Sequence, residues 1–351
     1  MIMGYIIVIL FCVCLIGSLL FSNSGKASKT IYTILGILIV VLSIFIDKTE
    51  LPDYAAYVAY LRSDYALIEP SFIAIRWIVN SIFAGEPIFL FAIYIILGVS
   101  VKLYSINQIT DLILLSLMLY ICSYWTYHEL IQIRAGAASS FVLLSIKPLC
   151  DRDKKRFLLI CIIAITFHYS AIMMLLFWFI KNNISKVTYV IYLFIIPLSM
   201  LLYIMDMDLI DIVKYVPIPI IQEKIISYSS LTAEAANRGL ISAADYNPFI
   251  TWNLIKVIVV YYIWFNVNSI ISCNRYALLL LKIQTLGLSL LWLFGSIPVI
   301  ATRCSEFITV VQIILIPMSI YTIKQRRVGY IIPSLYSIVW MIWNITSFSL
   351  I

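Results

Sequence analysis

Ten stretches of this sequence are apolar for long enough to cross a bilayer: residues 2–21, 30–46, 88–104, 111–127, 129–146, 187–205, 249–271, 276–300, 305–322 and 328–349. A spanning helix needs about 20 apolar residues, with a working range of about 17–25. Inside lipid every backbone N–H and C=O must be satisfied by the chain itself, and a helix does this within one segment. An outer-membrane barrel would read instead as alternating segments of roughly ten residues. The expectation is therefore an all-α polytopic membrane protein, a single transmembrane domain over residues 1–351.

Composition agrees, with 63% hydrophobic and 12% charged residues against about 25% charged in a soluble domain. A soluble enzyme, a secreted disulfide scaffold and a disordered tail are excluded. The net charge of +7 comes from 24 Lys+Arg against 17 Asp+Glu. The basic residues concentrate in short loops between apolar runs, the pattern of the positive-inside bias, so no nucleic-acid partner is expected. Seven cysteines (Cys12, Cys14, Cys122, Cys150, Cys161, Cys273, Cys304) have no metal-ligand spacing, and most sit in apolar runs as small hydrophobes. The first run lacks a basic leader and a small-residue cleavage site, so it is expected to be a retained helix.

Loop charges orient the spans. Lys26 and Lys29, the five Lys/Arg of 147–156 and the three of 324–327 belong on the cytoplasmic side. The segment 47–70 has five acidic against two basic residues, and 206–248 has six against three. Both segments, the first extended to 47–87, are expected outside, on the periplasmic face. A parity conflict follows, because five apolar runs separate the basic loops 147–156 and 324–327. One run must fail to cross, or must enter and return. The candidate is 157–180, which carries His168 at its centre and is followed by Lys181 and Lys186. A re-entrant hairpin turning at Phe167-His168-Tyr169-Ser170 restores every loop to its side and places His168 in a polar cavity. No internal repeat is visible, which weighs against inverted-repeat transporters.

Charges inside spans cost roughly 2.5–3.5 kcal/mol on insertion scales and mark candidate functional positions. Arg134 lies at the outer end of 129–146, followed by the small residues 135–140. It cannot be neutralised and needs a carboxylate or phosphate partner; a structural pair with Glu129 or another acid is one option. His168 is a candidate for proton transfer or phosphate binding. His128, beside Trp125 and Tyr127, reads as part of the interfacial aromatic belt. No metal-binding pattern occurs. Arg303 is expected in a short outer turn between two spans.

In the outer segments, Asp53, Tyr54 and Tyr57 fall within about one helical turn. They suit sugar recognition, or equally a solvated amphipathic helix. Glu69-Pro70 reads as a helix start. The loop 206–248, with Arg238, is long enough to be a lid. Together these residues describe an outward-facing membrane cavity suited to an anionic, lipid-linked, sugar-bearing substrate.

The same residues resemble the EpsG family of polysaccharide polymerases, relatives of Wzy-type O-antigen polymerases. The resemblance covers most of the chain. It rests on D-Y-x-x-Y at Asp53, Tyr54 and Tyr57, on E-P at Glu69 and Pro70, and on Arg134-Ala135-Gly136 with its small residues. It continues through Phe167-His168-Tyr169-Ser170-Ala171 after the basic loop, and Arg303 with Glu306-Phe307 near the end. Glu306 departs from the pattern, where an aromatic residue is expected.

The resemblance implies a GT-C-like fold of about ten spanning helices plus the hairpin. The activity implied is that of an inverting glycosyltransferase in the bacterial inner membrane, acting at the periplasmic face. Donor and acceptor would be undecaprenyl-pyrophosphate-linked oligosaccharide repeats, with membrane lipid around them and a chain-length co-polymerase as partner. No cofactor, metal or nucleotide sugar is implied. Arg134 and Arg303 would stabilise the pyrophosphate, His168 would serve as base with Asp53 or Glu69 second, and Tyr54, Tyr57, Glu69, Tyr169 and Arg238 would contact substrate. An O-antigen ligase-like transferase and a lipid-linked oligosaccharide flippase are the alternatives.

Overall fold

A computed structural model describes residues 2–21, 25–63, 68–210, 222, 226 and 247–349. Among these residues the secondary structure is entirely helical. The main helices are α1 (Ile2–Leu20), α2 (Lys26–Phe45), α3 (Tyr54–Arg62), α4 (Pro70–Ile82), α5 (Pro87–Ile109), α6 (Ile113–Ser123), α7 (Ile133–Cys150) and α8 (Lys154–Phe167). They continue with α9 (Lys186–Ile204), α10 (Thr251–Phe265), α11 (Ala277–Leu293), α12 (Pro298–Thr309) and α13 (Ile331–Ser349).

Six helices are long and apolar enough to cross a membrane, and a seventh span results if α12 and the following segment 312–322 are one bent helix. The chain is a multi-pass membrane protein. Each of the ten expected runs contains a helix, but three, α6, α10 and α11, stay shorter than a full crossing. In 111–127 the α-helix stops at Ser123 and the chain continues as a π-helix, Trp125–Ile131. In 276–300 it stops at Leu293, and Pro298 opens a new helix, as its fixed φ favours.

Two compact units form. The first holds Met1–Lys181, Asn268–Leu280 and Val310–Ile351; the second holds Asn182–Val267 and Leu281–Thr309. In the first, every side chain of α6 is buried, so this helix is core rather than a lipid-facing span. α7 packs against α5 and α8, and α4 packs against the same two. In the second, Tyr261 of α10 donates to the Leu193 carbonyl of α9 at 2.6 Å, and Trp264 donates to Thr285 Oγ1 of α11 at 2.9 Å.

The segment after the basic loop turns back at His168. α8 is 14 residues long, ~21 Å at 1.5 Å per residue. The 3-10 helix Tyr169–Phe179 has 11 residues, ~22 Å at about 2 Å per residue. Two arms of equal reach bring the ends together: Arg152 donates to the carbonyls of Trp178 and Ile180 at 2.6 and 2.7 Å. Its guanidinium also lies over the Trp178 ring, which packs against Phe157. The hairpin demanded by the loop charges is thus closed by an arginine of the basic loop itself.

Candidate functional site

The tip of this hairpin meets the start of α4, in the segment between α2 and α5. α8 ends because His168 is extended (φ −157, ψ 125), and Phe167 is held between Tyr94 of α5 and Phe141 of α7. Facing it, Pro70 opens α4 and leaves Glu69 at the N-cap position, as the Glu-Pro pair predicts. The Glu69 side chain does not cap its own helix. It turns to the neighbours and is almost wholly buried.

One Glu69 oxygen lies 3.2 Å from His168 Nδ1, and the other accepts from Arg134 in the first turn of α7. The Arg134 guanidinium sits over the faces of Tyr57, Tyr60 and Phe72, at 5.4, 5.7 and 5.9 Å, where cation–π attraction supports it. Its Nε is buried without a hydrogen-bond partner among the described residues. Burial alone would raise the Glu69 carboxyl, but the His168 hydrogen bond and the Arg134 charge outweigh it and hold the group at about 2. Glu69 therefore stays a carboxylate at any physiological pH. Tyr169, the next residue along the hairpin, donates to the Ile68 carbonyl at 3.3 Å.

Five of the expected site residues thus come together: Glu69, Arg134, His168, Tyr169 and Tyr57. Tyr57 is buried against Phe72 and Phe91 and offers its face to Arg134. Tyr54 stacks on Phe91 at 5.5 Å, and Asp53 stands at the N-cap of α3. Arg303 belongs to the second unit and lies inside α12 rather than in a turn, because Pro298 starts the helix before it. Arg238 and most of 206–248 lie outside the described residues.

A second charged cluster in the first unit escaped sequence reasoning. Lys102 of α5, fully buried, donates to Glu129 Oε1 and to the Gly136 carbonyl, both at 2.7 Å. Tyr120 of α6 donates to the same Glu129 oxygen at 2.8 Å. Glu129 is therefore taken by Lys102, and Arg134 pairs with Glu69 instead. The π-helix turns His128 inward, so it is no belt residue: its Nδ1 lies 3.2 Å from Ser139 Oγ of α7. The signal for Lys102 was its charge within an apolar run that a lone lysine does not interrupt. In the second unit Lys256 of α10 is likewise buried, and it interacts electrostatically with Glu306 of α12.

Fold and site together define a multi-pass helical membrane protein with paired charges gathered at the tip of a returning hairpin. The EpsG family model matches residues 29–350, and the chain belongs to the EpsG family. Membership supports a polysaccharide polymerase-like role. Neither a curated protein nor a solved structure matches the chain.

Proposed function

We propose that the protein is an inverting glycosyltransferase of the GT-C type that joins undecaprenyl-pyrophosphate-linked oligosaccharide repeats at the periplasmic face of the bacterial inner membrane. The observation that carries the reading is the contact of His168 Nδ1 with Glu69, whose other oxygen is held by Arg134. A carboxylate at Nδ1 fixes the proton there and leaves the ring's lone pair on Nε2. This is the tautomer that accepts a proton from an acceptor hydroxyl.

In the proposed step the acceptor oxygen bonds to the anomeric carbon of the donor and its proton passes to His168 Nε2. The bond from that carbon to the pyrophosphate breaks, its electron pair leaves with the lipid carrier, and the configuration inverts. The leaving group is already an anion of low basicity, so fixed positive charge in a water-poor site suffices to stabilise it. Arg134 holds Glu69 ionised and keeps its Nε–H for a substrate oxygen.

The test is incubation of the purified protein in nanodiscs with its cognate lipid-linked repeat. A product ladder spaced by one repeat, lost in His168→Ala at normal expression, supports the polymerase. Transfer only onto a different acceptor would indicate the ligase-like alternative, and unchanged substrate with folded protein would refute both.

A further inference from the structure

The Lys102–Glu129 cluster has no part in the chemistry above, yet it adjoins the start of α7 on which Arg134 sits. The chain enters α7 awkwardly. The π-helix ends at Ile131, Gln132 is non-helical (φ −97, ψ 57), and α7 begins at Ile133. Nothing in this local backbone alone fixes the direction in which the first turn of α7 presents its side chains.

A set of side-chain and backbone contacts fixes it. Glu129, in the π-helix, is held by Lys102 of α5 and Tyr120 of α6. Lys102 reaches past Glu129 to the Gly136 carbonyl, so one ammonium joins the π-helix to α7. Ser139 adds a second tie, lying against His128 Nδ1 at 3.2 Å while donating to the Gly136 carbonyl at 2.8 Å. The backbones also touch: a side chain at Gly136 would run into the His128 carbonyl, and one at Gly98 would come within 2.9 Å of Glu129 Oε2. Arg134 therefore lies between two anchored points, five residues after Glu129 and two before Gly136.

Buried ion pairs are a poor source of stability, because desolvation offsets their attraction and apolar residues of similar volume often serve as well. Their best-attested use is to fix register. We infer that Lys102 and Glu129 are positioning residues. Their pair sets the first turn of α7, and so the place of the Arg134 guanidinium and, through Glu69, the orientation of His168. The inference rests on the proposed reaction only for its kinetic consequence.

The experiment uses the full chain in nanodiscs and compares wild type, Lys102→Arg, and the charge-free double variant Lys102→Met/Glu129→Leu. The double variant leaves no buried charge unpaired and is chosen to fold. The chain has only two histidines, so 15N-histidine labelling reads His168 directly, beside His128. Expected for the double variant is a displaced His168 imidazole signal at unchanged thermal stability. With it comes a fall in transfer rate of about tenfold to a hundredfold, the scale of a misplaced catalytic group, while KM for the lipid-linked repeat holds within about threefold. Lys102→Arg, which keeps charge and donors, should restore most of the rate. A His168 signal identical to wild type in the folded double variant would overturn the inference. If wild type makes no ladder, the proposed function fails, and the His168 signal still decides the positioning role.

Discussion

Replacing Glu69 by Gln keeps the shape of the side chain and removes its charge. The carboxyl is held at about 2, against an ordinary 4.5, and that difference favours the ionised form by about 3 kcal/mol. The attraction of His168 and Arg134 is larger than this net figure, since it first offsets the cost of burial. A second route gives a similar size. Removing one partner of a buried ion pair costs about 3–5 kcal/mol, because the other charge is left uncompensated. Glu69→Gln should therefore lose about 3 kcal/mol at pH 7. The pH dependence has a definite sign. A depressed carboxyl pKa contributes stability that is fully present above about 4.5 and disappears as pH falls toward about 2. The gap between wild type and variant should close across that window. Unfolding in mixed micelles, followed by tryptophan fluorescence at pH 7 and near pH 3, reads both quantities. Adding Arg134→Met to Glu69→Gln should recover part of the loss, since no buried charge then stands alone. A single variant within about 1 kcal/mol of wild type at pH 7 would refute the reasoning. So would a gap of the same size at both pH values.

In the proposed mechanism His168→Ala removes the general base and should slow transfer by about 10²–10⁴-fold, at a stability cost of about 1.5–3 kcal/mol for the lost hydrogen bond to the Glu69 carboxylate; added imidazole should restore part of the rate in the ladder assay. Arg152→Ala removes two charge-assisted hydrogen bonds that close the hairpin, each worth about 1.5–3 kcal/mol, and hydrogen exchange over 169–180 should accelerate while α9 is unaffected. Gly136→Ala forces a methyl into the His128 backbone and should cost at least about 3 kcal/mol, read as lost expression or a lowered melting temperature. Gly4→Ala first meets the Ile345 side chain, at 3.4 Å, and should be tolerated.

How much of this was legible differs by element. The apolar runs locate the helices, because in lipid a segment either satisfies its own backbone or is covered by protein. The hairpin was legible too, through the parity of basic loops rather than through any turn motif at His168. Glu69-Pro70 marks the start of α4 by local chemistry. The partner of Arg134 was not legible: Glu129 is five residues away and Glu69 sixty-five, and only packing brings the distant one in. The π-helix 125–131 has no sequence signature, so the inward turn of His128 was hidden with it. Arg303 could have been placed inside a helix by giving Pro298 its weight as a helix opener.

The two clusters of the first unit use charge in different ways. At Lys102 and Glu129 an acid and a base cancel, with Tyr120, Gly136 and Ser139 completing the network. Such an arrangement is electrostatically finished and resists change. At the hairpin tip the balance depends on a proton. The proposed mechanism starts from a neutral imidazole, beside which Glu69 and Arg134 cancel. In that mechanism His168 takes the acceptor's proton and the cluster gains one positive charge, with Glu69 beside Nδ1 to stabilise the imidazolium. In the proposed mechanism the pyrophosphate acquires negative charge in the same step. The site's charge thus develops together with the leaving group's and adds no standing charge to an apolar surrounding. Stabilisation that appears only in the transition state is the kind that raises kcat. It requires the carboxylate to be ionised beforehand, which is the condition Arg134 maintains.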